Sequence, residues 1–250
     1  MAAGTAHAAP PPGTWHSVFS DDFGGTSLDN SKWNTCYPSG CSGPSAGELE
    51  SYQAGNVTES GGYLHLTAGQ QAVTSKRKTT YTYTSGMISS GGANTKTPSK
   101  FSFTYGYFEI SAQVPKGQGL WPAFWTKPAS YNWPPEIDAM EINGAYTNKV
   151  DMTYHWSGKR NGYATQWVDA APDDYANGQH TFGVDWEPGS ITWYVDGVQQ
   201  FQYTDASKIP SEPLYLIANL AVGGAWPGNP DATTPFPSEM KIDYIRVYQH

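Results

Sequence analysis

Gly106-Tyr107-Phe108-Glu109-Ile110-Ser111-Ala112-Gln113-Val114 alternates with period two and sets Phe108, Ile110, Ala112 and Val114 on one face. A helix would scatter these four around its axis, whereas a strand lines them against a core. Gly62-Tyr-Leu-His-Leu-Thr67 and Met240-Lys-Ile-Asp-Tyr-Ile-Arg-Val-Tyr248 alternate in the same way. Thr181 to Trp186 and Ile191 to Val195 flank Glu-Pro-Gly and read as a hairpin. Asp196-Gly197 then turns the chain into a further strand, Val198 to Tyr203. No capped stretch of helical period appears; Lys208 to Glu212 is at most a short turn. The expectation is an all-β antiparallel β-sandwich over residues 13–250, one domain with a concave substrate cleft.

Composition agrees. Among 250 residues there are 27 Gly and 19 Pro, which favour turns, and 10 Trp and 17 Tyr, which favour strands. Charged residues are only 14%, with 14 Lys+Arg against 22 Asp+Glu and a net charge of −8. Such a chain repels a phosphate backbone, so nucleic acid is not an expected partner. It has no apolar run of the length that spans a membrane as a helix. Cys36 and Cys41, separated by Tyr-Pro-Ser-Gly, suit a small surface-loop disulfide; two free thiols are the alternative. Ala6-His7-Ala8 has the small-x-small form of an export cleavage site. The expectation is a secreted, monomeric protein whose chain restarts near that site, with residues 1–12 outside the fold. An ordinary Ala/Pro-rich tail is the other reading.

The chemistry is concentrated in Trp133-Pro-Pro-Glu136-Ile137-Asp138-Ala139-Met140-Glu141-Ile142, where three carboxylates fall within six residues. On a strand Glu136 and Asp138 share a face, while Glu141 falls on the other. One extra residue at Ala139-Met140, a β-bulge, brings all three to the same side. The Glu136 and Glu141 Cα atoms are then roughly 12–13 Å apart. Side chains leaning inward bring the carboxyl groups to the ~5–6 Å of retaining glycosidases. Crowded negative charge keeps the three from ionising together, which suits an acid at neutral pH. A calcium cluster or a solvated acidic edge is the alternative. Calcium loops, however, draw on Asp and Gly in a turn, not on a Glu-Ile-Asp-x-x-Glu strand.

Trp121 and Trp125, four apart in Gly119-Leu-Trp-Pro-Ala-Phe-Trp125, share a face if extended, and Trp133 stands just before the carboxylates. Indole plates suit the C–H faces of sugars. Trp186 and Trp193 fit a core role better. His155, in Met152-Thr-Tyr-His-Trp156, reads equally as a cleft or a structural histidine. No zinc-protease, nucleophile-elbow, phosphate-loop or dinucleotide motif is present.

With Glu-Ile-Asp-Ala-Met-Glu141 preceded by Gly-Leu-Trp-Pro-Ala-Phe-Trp125, the sequence resembles glycoside hydrolase family sixteen, on its laminarinase-like branch. Supporting segments include Glu48-Leu-Glu-Ser-Tyr52, Tyr83-Thr-Ser-Gly-Met87, Tyr105-Gly-Tyr-Phe-Glu109 and Asn219-Leu-Ala-Val-Gly-Gly-Ala-Trp226. The resemblance implies a jelly roll that retains configuration while hydrolysing β-1,3- or mixed β-1,3-1,4-glucan internally. It gives Glu136 as nucleophile, Asp138 as electrostatic helper and Glu141 as acid/base. Trp121, Trp125, Trp133, His155, Trp226 and Glu48 are the implied substrate contacts. It implies no catalytic cofactor, but a structural calcium held by Asp22, Gly62 and Asp243. Where the laminarinase pattern carries Arg, this chain has Met87 and Tyr107. Loss of those donors from the cleft predicts a drift away from plain β-1,3-glucan. Another β-glycan, such as a bacterial exopolysaccharide or a galactan, and a non-catalytic carbohydrate-binding sandwich are the alternatives. Three retained carboxylates disfavour the last.

Overall fold

The computed structural model describes residues 10–43, 47–75, 78–156, 162–169 and 174–250. Among the described residues eighteen strands are formed. The first eight are β1 (His16–Asp21), β2 (Glu50–Tyr52), β3 (Val57–Ser60), β4 (Tyr63–Ala68), β5 (Val73–Thr74), β6 (Thr80–Tyr81), β7 (Tyr83–Ser85) and β8 (Met87–Ser89). Next come β9 (Gly106–Gln113), β10 (Leu120–Pro128), β11 (Glu136–Glu141), β12 (Lys149–Trp156) and β13 (Gly162–Asp169). The chain continues with β14 (His180–Glu187), β15 (Ser190–Val195), β16 (Val198–Tyr203), β17 (Leu214–Val222) and β18 (Ser238–Gln249). A three-residue 3-10 turn, Ala54–Asn56, is the one helical element among the described residues.

Two antiparallel sheets make the sandwich. One has the order β16-β15-β14-β9-β18-β4-β3, with β1 also on β18; the other runs β13-β12-β11-β10-β17-β8. The period-two residues do what their spacing predicts: Phe108, Ile110, Ala112 and Val114 enter one core with Phe182, Val184 and Trp186. The opposite sheet contributes Leu120, Phe124, Ile137, Met152, Leu216 and Leu220. Trp186 and Trp193 are fully buried, as a core role requires. In β18 the register shifts between Ile242 and Tyr244. Asp243 is thus an extra residue, and Met240 and Ile242 before it and Ile245 and Val247 after it all reach the core.

The Cys36–Cys41 disulfide is formed, with Cα atoms 4.6 Å apart. The Pro11 carbonyl accepts the Trp15 indole N–H at 2.7 Å. The cleavage-site reading at Ala6 to Ala8 lies outside the described residues. No helix among them is long and apolar enough to cross a membrane.

Tyr107 corrects an expectation. It alternates with the inward Phe108, so it faces away from the core on the outer side of the larger sheet. There it is 1% exposed, and its hydroxyl donates to Glu109 Oε2. It is remote from the sheet that carries the three carboxylates and plays no part in any cleft on that sheet.

Candidate active site

The outer face of the six-stranded sheet is organised in rows set by strand register. Glu136 pairs with His155 and His155 with Tyr163; Asp138 pairs with Trp125 and Thr153; Glu141 pairs with Ala123 and Asp151, and Asp151 with Trp167. Between Asp138 and Glu141 the register shifts against both neighbouring strands. Ala139 is the extra residue, the bulge that the carboxylate spacing demands. Ile137, Ala139 and Met140 are buried in the core while all three carboxylates face the cleft.

Two side chains hold this irregular strand. Thr126 Oγ1 accepts the Ile137 N–H and donates to the Ile137 carbonyl, both at 3.1 Å. From the opposite sheet, the Trp193 indole crosses the core and donates to the Asp138 carbonyl at 2.8 Å. A backbone group at a bulge is thereby satisfied inside the core, where an unpaired one would be costly.

A cleft of about 560 Å³ opens over these rows, lined by Trp121, Trp125, Trp133, Glu48 and His155 with the carboxylates. Trp133 Nε1 donates to Glu136 Oε2 at 2.9 Å, and Trp121 Nε1 to Glu141 Oε1 at 3.1 Å. His155, left open by the sequence, belongs to the cleft: Nε2 lies 3.3 Å from Asp138 Oδ2 and 3.6 Å from Glu136 Oε1. Trp226, expected as a substrate contact, is not among the residues that line the cleft; its ring centroid lies 5.3 Å from that of Trp121.

Sequence reasoning missed four further contributors. Lys127, two residues beyond Trp125 and on the same face, lines the cleft and lies over the Trp125 ring at 5.3 Å. Extending the Trp121–Trp125 alternation by one step finds it. Tyr37 reaches the cleft from the disulfide loop, and Asn219 accepts the Trp125 indole N–H at 2.7 Å. Asp151, held by Thr165 at 2.5 Å, adds a fourth carboxylate beside Glu141.

Burial disfavours ionisation of all three carboxyls. Burial raises Glu136, but His155, Lys127 and the Trp133 hydrogen bond offset it. Burial, then repulsion from Glu136 and Asp151, pushes Asp138 well above the carboxylate range. Burial, then Asp138, Glu136 and Asp151, does the same to Glu141. All three carboxyls are thus harder to ionise than free ones, while His155, Lys127 and the Trp133 hydrogen bond favour the charged form of Glu136.

Met87 corrects the second expectation about specificity. It pairs with Asn219, so it lies on the cleft side of the sheet, but it is 0% exposed within a cluster of Tyr37, Tyr52, Trp125 and Ile217. Neither Met87 nor Tyr107 contacts the cleft, and the cation that lines it is Lys127. Met87→Arg should therefore bury a guanidinium and cost about 3 kcal/mol or more. Melting temperature should fall while glucan preference stays unchanged. An unaltered melting temperature with increased laminarin turnover would show that residue 87 reaches substrate.

Beneath the cleft, Glu50 on β2 is fully buried, and its Oε2 accepts the Val222 N–H at 2.8 Å. Burial, opposed by that hydrogen bond, raises its pKa from 4.5 to about 8. The stability from this neutral carboxyl is fully present below the unfolded value and is lost as pH rises to about 8. The loss approaches about 5 kcal/mol. Glu50→Gln keeps an acceptor for Val222, so its melting temperature should pull ahead of the parent between pH 5 and pH 8. Parallel curves would place the proton elsewhere.

Asp22, Gly62 and Asp243 converge on one stretch of β18. Asp22 follows Asp21, which pairs with Ile245, and Gly62 leads into β4, whose Leu64 pairs with Ile242. Asp22 Oδ1 accepts the Arg246 guanidinium at 2.9 Å.

Comparison with known proteins agrees with the site. Endo-1,3-1,4-β-glycanase ExsH of Rhizobium meliloti is 42% identical over 168 residues, 67% of this chain and 34% of that protein. The chain thus spans about a third of that relative's length. The β-glucanase of Rhodothermus marinus is 32% identical over 94% of this chain and 85% of its own. The endo-β-1,3-glucanase structure from Pyrococcus furiosus superposes with a TM-score of 0.82 at 34% identity, covering 94% of each chain. It shares the jelly-roll sandwich described above. Residues 52–246 match the model of glycosyl hydrolases family 16, and the chain belongs to that family.

Proposed function

We propose that the protein is a retaining endo-β-glycanase that hydrolyses β-1,3- or mixed β-1,3-1,4-glucan. The observation that carries this is the placing of Glu136, Asp138 and Glu141 on one face of β11 by a bulge, in a cleft lined by Trp121, Trp125 and Trp133. Glu136, whose charged form His155, Lys127 and Trp133 favour, attacks the anomeric carbon from one side. The glycosidic C–O bond breaks, and the departing oxygen takes the proton of Glu141. Water then enters, gives a proton back to Glu141 and bonds to the anomeric carbon, which releases Glu136. Two displacements return the original configuration. Asp138 lies between them, where burial and then repulsion from Glu136 push its pKa up, which limits the charge beside Glu136. Trp133 and His155 orient the Glu136 carboxylate; Trp121 orients Glu141. The indole faces and Glu48 give sugars their apolar and polar contacts. This chemistry draws on no cofactor.

The core cluster runs from Phe23 to Val247, which supports residues 13–250 as one catalytic unit. Secretion is the compartment that suits a Cys36–Cys41 disulfide and a polymeric substrate. Calcium at Asp22, Gly62 and Asp243 would tie β1 and the β3–β4 turn to β18 and act on stability. Millimolar calcium should raise the melting temperature by a few degrees over EDTA; identical values would rule out that role. The function itself is tested by reducing-sugar release from laminarin, barley mixed-linkage glucan, a galactan and an acidic exopolysaccharide. The two glucans should be cut, with oligosaccharides rather than glucose appearing first. Turnover of the galactan or exopolysaccharide alone would replace the glucan reading, and none on any polymer would favour a binding protein.

A further inference from the structure

The Glu136–Asp138–His155 corner has a property that glycoside hydrolysis does not require. His155 Nε2 stands 3.3 Å from Asp138 Oδ2 and 3.6 Å from Glu136 Oε1. All three atoms lie within 4.8 Å of one another. Asp138 is 2% exposed, and its Oδ2 has no hydrogen-bond partner. His155 Nε2 is its near neighbour but makes no hydrogen bond to it, and a bound ion is one explanation for an oxygen so placed.

Bond lengths of 2.0–2.2 Å to a tetrahedral zinc ion set its ligand atoms about 3.3–3.5 Å apart. Both distances from His155 are close to that edge. The carboxylate pair is wider, and rotation of the half-buried Glu136 side chain narrows it. His155 is held between the rings of Trp133 and Tyr163, with centroids 6.0 and 6.2 Å away. Thr126 and Trp193 fix the strand beneath. One imidazole and two carboxylates is a borderline donor set that suits zinc and is poor for calcium, which takes six to eight oxygens.

We propose that His155, Asp138 and Glu136 bind a zinc-class divalent cation, with a fourth position open to the cleft. Glu136 then gives its lone pair to the metal instead of the anomeric carbon, and the ion excludes glycan. Zinc therefore inhibits in competition with substrate. That inhibition rests on the hydrolytic reading, whereas the binding does not.

Calorimetry with zinc chloride and visible spectroscopy with cobalt(II), on the whole protein, test the site without reference to activity. The expected result is one site per chain, with four-coordinate cobalt bands. Both His155→Gln and Glu136→Gln should weaken binding at least tenfold and abolish the bands. Circular dichroism checks that each variant is folded. A glucan oligosaccharide added to the cobalt protein should bleach the bands, a reading that needs no variant. Absence of saturable binding below millimolar zinc would overturn the proposal. So would binding unchanged in either variant, which would assign the metal to exposed pairs such as His65–Glu239 or His180–Asp196.

Discussion

Glu136→Ala should lower kcat on glucan by at least about 10⁴-fold, a loss of roughly 5 kcal/mol of transition-state stabilisation. No neighbour can take over the role. Asp138 is nearly enclosed and burial opposes its ionisation, and Glu141 is occupied as the acid and set apart by the bulge residue. The fold should not suffer. Glu136 is 15% exposed on the cleft side, and it touches Trp133 and His155 rather than the core. Its raised pKa gives the sign of the stability effect. A carboxyl that ionises with more difficulty in the folded than in the unfolded chain loses stability as pH rises through that window. Removing it should leave the melting temperature at pH 7 unchanged or higher. Activity and stability then move in opposite directions, as they do where a site holds like charges together. Activity near the parent's in a folded Glu136→Ala protein would remove Glu136 from the mechanism.

Glu141→Ala should fail in a different way. Without the acid, loss of an alkoxide leaving group slows by about 10²–10⁴-fold, and the effect is smaller for an aryl glycoside whose leaving group needs no proton. The covalent intermediate, once formed, waits for a water that no base activates. Azide needs no base, so it should restore turnover and yield a glycosyl azide of retained configuration. The alkaline fall of the parent's pH profile, which reports loss of the Glu141 proton, should be absent from the azide-rescued reaction. An azide of retained configuration from Glu136→Ala, with one of inverted configuration from Glu141→Ala, would exchange the two roles.

Much of this was legible in the sequence because the constraint was one of facing. Three carboxylates must share a side, alternation forbids it, and a single extra residue at Ala139 resolves the conflict. Phe108, Ile110 and Ala112 likewise fixed their own strand. What depends on which strands become neighbours could not be read. Asp151 meets Glu141, and His155 meets Glu136, only through the register of β12 on β11. Tyr37 reaches the cleft because the Cys36–Cys41 loop folds over β2, with Tyr37 and Tyr52 in edge contact at 5.7 Å. Met87 and Tyr107 were misjudged for the same reason. A position in a linear pattern carries no face, and the structure buries one beneath the cleft and turns the other out from the opposite sheet. Lys127 was within reach of simple alternation. Trp193 has the pattern of a core residue and is one; its bond to the Asp138 carbonyl depends on the distance between the sheets.

The most direct measurement is the anomeric configuration of the first-formed product, followed by proton NMR as a mixed-linkage or β-1,3-glucan oligosaccharide is cleaved. Hydrolysis by Glu136 and Glu141 through a covalent intermediate predicts the β-anomer at the new reducing end, with the α-anomer growing later by mutarotation. An α-anomer appearing first would mean a single inverting displacement by water and would contradict the assignment of Glu136 as nucleophile.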